Sequence, residues 1–137
     1  MIERNSFGGD AFRASVGMLC PGAEIFDGQG DTEIFSQALT VLPDWVAGLE
    51  DSLGVTIHYQ ASGMLRLIFS REDSLESRDK AKAWPSFATW LNGAEVRALE
   101  PCVSSDVEGG ILFDGDSQLS PRPLMVALRA AILRKGG

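Results

Sequence analysis

The chain has 137 residues, 45% hydrophobic and 23% charged, enough to bury one core but not two. No apolar run approaches the roughly 20 residues that a membrane-crossing helix needs, and Met1-Ile2-Glu3-Arg4-Asn5 lacks the basic and apolar stretches of a secretory signal, so a soluble, cytoplasmic protein is expected. With 12 basic against 19 acidic residues, the net charge of −7 repels phosphate backbones and anionic lipid, and neither nucleic acid nor membrane is expected as a partner.

Residues 1 to 30 read as a loop-rich segment, with glycines at 8, 9, 17, 22, 28 and 30 and one apolar cluster, Val16 to Cys20, closed by Pro21. From Asp31 the pattern changes. Phe35, Ala38, Leu39, Leu42, Trp45, Val46, Leu49 and Leu53 recur three and four apart, which predicts a long amphipathic helix from Asp31 to Leu53, kinked or broken near Thr40 to Leu42 by Pro43 and stopped by Gly54. Val55 to Gln60 and Met64 to Phe69 predict two strands of a hairpin about Ala61-Ser62-Gly63. Arg71 to Lys82 is polar, a surface helix closed by Pro85. Asn92-Gly93 marks a turn before a short helix, Ala94 to Leu99. Gly110 to Phe113 and Ser117 to Leu119 predict a second hairpin about Asp114-Gly115-Asp116. The final helix, Pro121 to Lys135, has Ser120 as cap, Leu124, Leu128 and Ile132 as one stripe, and Gly136 behind it. Because the chain stops where this helix has just been closed, it reads as cut at its C-terminus.

Few residues offer chemistry. Cys20 and Cys102 form no CxxC pair and His58 is the only histidine, so neither a metal site nor a nucleophilic triad is expected. His58 reads as an ordinary strand residue and the cysteines as reduced small hydrophobes. Arg66, Arg97 and Arg122 read as solvated, and Glu72-Asp73 and Asp114/Asp116 as turn acids. No catalytic residue is assigned.

Four blocks in order, Gly17-Met18-Leu19-Cys20-Pro21-Gly22-Ala23-Glu24, Gly63-Met64-Leu65-Arg66-Leu67, Val96-Arg97-Ala98-Leu99-Glu100-Pro101 and Leu119-Ser120-Pro121-Arg122-Pro123-Leu124, resemble glycine oxidase. More broadly they resemble the D-amino-acid oxidase superfamily of FAD-dependent amine oxidases, which includes the oxidase serving thiazole synthesis in thiamine production. The resemblance implies an α+β fold, with part of an FAD domain, a mainly antiparallel substrate-domain sheet and flanking helices. Residues 1–30 would be the remnant of the FAD domain, 31–119 a portion of the substrate domain, and 120–137 a helix returning toward the FAD domain. It also implies that Glu3 matches the acid that grips the adenosine ribose, with Arg4 beside it, and that Gly17 and Met18 match positions whose backbone approaches the flavin. Where relatives place a small hydroxyl residue this chain has Ala11-Phe12, leaving Ser15 as the nearby hydroxyl.

The GxGxxG turn that holds the FAD pyrophosphate is absent: Gly28-Gln29-Gly30 lacks the third glycine and a preceding apolar strand, and reads as a loop. Thus the parent protein is expected to transfer hydride from a small amine or amino acid to FAD, which dioxygen reoxidises, whereas the isolated chain binds FAD weakly or not at all and is inactive. Homo-oligomerisation or self-association is expected from faces that absent halves would cover. The alternatives are a non-enzymatic stand-alone domain that associates with another polypeptide, and an amine dehydrogenase relative with a different acceptor.

Overall fold

The computed structural model describes residues 11–29 and 31–136. Its elements run α1 (Ala11–Ala14), β1 (Met18–Leu19), α2 (Pro21–Phe26), α3 (Thr32–Leu53), β2 (Met64–Ile68), α4 (Arg71–Ala81), β3 (Thr89–Asn92), α5 (Gly93–Leu99), β4 (Gly109–Phe113), β5 (Ser117–Gln118) and α6 (Pro121–Arg134). The fold class is α+β, and every described strand pair is antiparallel. Among the described residues no helix is long and apolar enough to cross a membrane.

Residues 11–29 are more regular than the expected loop. Pro21 opens α2 at its first position, where a missing N–H costs nothing, and Cys20 is the capping residue. The long helix forms where its periodicity predicts. Asp31 caps it by accepting hydrogen bonds from Glu33 N and Ile34 N, and Gly54 closes it in the left-handed conformation. Pro43 does not break it, since α3 runs without interruption from Thr32 to Leu53. A proline removes one ladder bond, and the apolar side chains on both sides of it, Leu42, Val46, Leu49 and Leu53, hold the helix against the core. α4 and α6 also form where expected. Ser120 caps α6 by position alone, with no side-chain hydrogen bond.

Both expected hairpins are corrected. Val55 to Gln60 is not a regular strand, because His58 adopts φ 58° and breaks the extended run, and Ile57 N–H donates to the Glu50 carboxylate rather than to a ladder. Only Gln60 pairs, as an isolated bridge to Gln118. β2 instead joins β4, which lies between β2 and β3 in a three-stranded sheet with Arg66 opposite Ile111 and Trp90 also opposite Ile111. β4 and β5 likewise do not pair with each other. β5 crosses to β1, placing Met18 opposite Gln118 and Leu19 opposite Ser117. The Asp114-Gly115 turn therefore carries the chain from one sheet to another. Asn92-Gly93 proves to be a helix start: Asn92 accepts from Ala94 N and Glu95 N, while Glu95 reaches back to Asn92 N.

The apolar interior divides into two clusters, where composition predicts one. Phe26, Ile68, Ala81, Ala88, Ile111 and Phe113 form the first, between the three-stranded sheet and helices α2 and α4. Val46, Ile57, Leu119 and Ala127 form the second, between α3 and α6. The C-terminal stripe Leu124, Leu128 and Ile132 is half-buried, neither fully covered nor open, and Leu124 packs on the second cluster.

Candidate functional site

The segment from Ser15 to Ala23 is held more tightly than its glycine content suggests. Gly17 has φ 77°, and a Cβ there would lie 1.9 Å from Leu119 O and 2.9 Å from Pro121 Cδ. A side chain is thus excluded by conformation and by space. The close approach that Gly17 permits in the described residues is to its own chain, and Leu119 N donates to Gly17 O at 3.0 Å. Ser15 is exposed, and its Oγ accepts from Gly17 N at 3.3 Å. Met18 is 56% exposed although its backbone is in β1. Ser15, Gly17 and Met18 therefore form one continuous edge. Glu3 and Arg4 lie outside the described residues.

Below this edge sits a residue that the sequence reading left as a turn acid. Asp116 is fully buried, and its two carboxylate oxygens accept from Gly22 N at 2.7 Å and Ala23 N at 3.1 Å. Gly22 admits it, since a Cβ there would fall 2.8 Å from Asp116 Oδ1. Burial pushes the Asp116 carboxyl above the usual aspartate range, and the two amide bonds only partly oppose this. Asp116 precedes β5 directly, so it fastens the first turn of α2 to the strand that pairs with β1. The neighbouring Ser117 Oγ is buried and has no hydrogen-bond partner among the described residues. Nothing local in Asp114-Gly115-Asp116 marks the second aspartate for burial, because its partners lie 94 and 93 residues away.

The Cys20 thiol is half-buried, 3.2 Å from Met64 Sδ, and burial followed by the nearby carboxylates of Asp116 and Glu24 raises its pKa. It lines an apolar cleft of about 320 Å³ with Met18, Leu19, Phe35, Leu39 and Leu42. Cys102, by contrast, is exposed rather than a core hydrophobe.

Of the arginines read as solvated, Arg66 is not free. Its guanidinium grips Asp27 with both nitrogens, at 2.6 and 2.8 Å, and lies over the rings of Phe26 and Phe113. This pair holds the Asp27 carboxyl below its ordinary range. The pair lines a wider cleft of about 670 Å³ that also includes Lys80, stacked over Phe26. Its fork is occupied by a carboxylate of the chain itself, so Arg66 does not stand ready for a substrate carboxylate. Arg97 reaches Ser105 O, and Arg122 is exposed.

Binding an FAD pyrophosphate takes several unengaged backbone N–H groups at a glycine-rich turn. In the first turn of α2 the Gly22 and Ala23 amides are already taken by buried Asp116. The described residues do not fit the pyrophosphate. What they offer is the Gly17–Met18 edge and the apolar cleft beside it.

The chain thus combines short antiparallel strands with helices, and its Gly17–Met18 edge lies beside the α2 N-terminus that buried Asp116 holds. The family described as FAD dependent oxidoreductase matches residues 1–137, and the chain belongs to it. Among curated proteins it is 29% identical to the bifunctional protein ThiO/ThiG of Trichormus variabilis (strain ATCC 29413 / PCC 7937), over 88% of this chain and 19% of that protein. It is 30% identical to the glycine oxidase of Bacillus subtilis (strain 168), over 88% of this chain and 32% of that enzyme. Two solved structures share the fold: glycine oxidase from Geobacillus kaustophilus, with TM-score 0.77 at 22% identity, and glycine oxidase from Bacillus cereus ATCC 14579, with TM-score 0.74 at 23% identity. Each covers 92% of this chain, which spans 35% of theirs.

Proposed function

We propose that these 137 residues are the central part of an FAD-dependent amine oxidase of the glycine oxidase kind, which transfers hydride from a small amine or amino acid to FAD, with dioxygen as the final acceptor. In this reading residues 1–30 contribute to the FAD domain, 31–119 to the substrate domain, and 120–137 return toward the flavin side. Glu3 and Arg4 would serve the adenosine ribose, and Ser15, Gly17 and Met18 the flavin edge. The flavin supplies the redox chemistry when bound. The chain's own residues supply position: Asp116 anchors α2, the β1–β5 pair anchors Met18, and Phe35, Leu39 and Leu42 give the cleft beside Met18 an apolar wall.

The observation that carries this proposal is the match of the FAD dependent oxidoreductase family over residues 1–137, beside a fold shared with glycine oxidase over 92% of the chain. A chimera tests it. Residues 1–137 would replace the matched segment of the Bacillus subtilis glycine oxidase, leaving the rest of that enzyme in place. The expected product is yellow and releases peroxide with at least one small amine or amino acid. A folded chimera that holds FAD yet oxidises none of them would overturn the proposal.

A further inference from the structure

The short β1–β5 ladder has an inner and an outer face. Leu19, Ser117, Leu119 and Tyr59 turn inward, Ser117 buried and the other three packed in or on the α3–α6 cluster. Met18, Gln118 and Gln60 alternate with them and are exposed. Register joins the three: Met18 stands opposite Gln118, and Gln60 exchanges two backbone hydrogen bonds with Gln118, at 2.8 and 2.9 Å. The two side chains also meet, Gln118 Nε2 donating to Gln60 Oε1 at 2.8 Å. That bond fixes the Gln118 amide and leaves its carbonyl oxygen without a donor among the described residues.

Met18 also lines the apolar cleft of about 320 Å³ with Phe35, Leu39 and Leu42, so the amide stands at the rim of that cleft, across Met18. Among the residues that line it Glu24 is the one charged side chain, and it is exposed. Cys20 in the same wall registers the sign of the field. After burial, the carboxylates of Asp116 and Glu24 raise its pKa, and Arg66 opposes them with a smaller effect.

We propose that this cleft is a binding site for a small alkylammonium ion, whose chain lies against the apolar wall and whose charge is met by the Glu24 carboxylate and the Gln118 carbonyl oxygen. Both groups accept hydrogen bonds, and an ammonium offers only donors. A carboxylate on the same chain would face Glu24 with no basic group in the cleft to offset it. Gln60 is a positioning residue that acts through Gln118. As a substrate site the cleft rests on the amine-oxidase reading above; as a cation site it rests on these residues alone.

The test uses the 137-residue chain, labelled with 15N and at the methionine methyls, titrated at low salt with butylammonium and separately with pentanoate, which carry the same four-carbon chain. Butylammonium is expected to shift the Gln118 and Gln60 side-chain amide signals and the Met18 methyl together, saturating in the millimolar range that suits so small a ligand. Pentanoate is expected to move none of them at that concentration. Glu24→Gln should weaken butylammonium about three- to fivefold, the size of an exposed ion pair, and Gln118→Lys should abolish the saturable shift of the Met18 methyl. Backbone signals away from the cleft check that both variants stay folded. No saturable shift with butylammonium, equal binding of pentanoate, or an affinity unchanged in both variants would overturn the proposal. The titration needs no flavin. A chain that binds butylammonium, beside a chimera that holds FAD and oxidises no amine, would strike the amine-oxidase reading and leave the cation site standing.

Discussion

Asp116 shows how much one side chain can decide. Its carboxylate accepts from both Gly22 N and Ala23 N in the first turn of α2. Asp116→Ala leaves two inward-facing amides without partners, and urea denaturation should show a loss of about 2 to 4 kcal/mol. The sign of the pH effect follows from the raised pKa. The folded chain keeps the Asp116 proton to higher pH than the unfolded chain does. The stability this carboxyl contributes is therefore fully present below the unfolded value and declines as pH rises through the folded one. Asp27 behaves oppositely: its pKa is lowered by Arg66, so its contribution is present above the ordinary aspartate range and is lost as pH falls through the lowered value. Being an exposed pair, Asp27 and Arg66 contribute at most about 1 kcal/mol. Melting temperature measured against pH should show a flatter mildly acidic limb in Asp116→Ala. Ser117 gives the converse case. Its buried hydroxyl has no partner among the described residues, so Ser117→Ala should be neutral or stabilise by about 1 kcal/mol, read in the same urea titration.

Among the elements, α3 is set by its sequence alone more completely than any strand. A cap at Asp31, an apolar face and a terminal glycine all agree, and they outweigh Pro43. Pro43→Ala would restore a ladder bond to Leu39 O and remove the ring's crowding of the preceding turn. It should raise stability by about 1 to 3 kcal/mol, seen as a higher melting temperature with unchanged helix content. A fall in stability would mean that the half-buried proline ring fills space the core depends on. The strands were legible as extended apolar runs but not as partners. Met64 to Ile68 pairs with Phe113 to Gly109, more than 40 residues along the chain, while the nearer run Val55 to Gln60 is diverted by His58 at φ 58° and by Glu50. Local turn composition proposed the short-range hairpins, and burial of β4 between two strands overrode it.

For the molecule as a whole, the missing pyrophosphate cradle makes a direct prediction. Purified 137-residue chain titrated with FAD should show no stoichiometric quenching of flavin fluorescence and remain colourless after dialysis. Stoichiometric binding at a submicromolar dissociation constant would mean that the chain holds the pyrophosphate by another route than a GxGxxG turn. The division of the interior into two clusters follows from the chain path. A single core needs elements that close around it, but here the turn at Asp114-Gly115 hands the chain from the sheet cluster to the α3–α6 cluster, with Asp116 buried at the crossing.

Periodicity, caps and prolines in the sequence determined where the long helices lie, and the four ordered blocks determined the resemblance to glycine oxidase, because these signals act between residues a few positions apart or as fixed local patterns. The tertiary structure alone decided which strands pair, that Asp116 is the buried anchor of α2 and that Arg66 is spent on Asp27. Each of those depends on groups 17 to 100 residues apart meeting in the fold, where an unpaired amide or charge is costly and no local pattern records which partner will satisfy it.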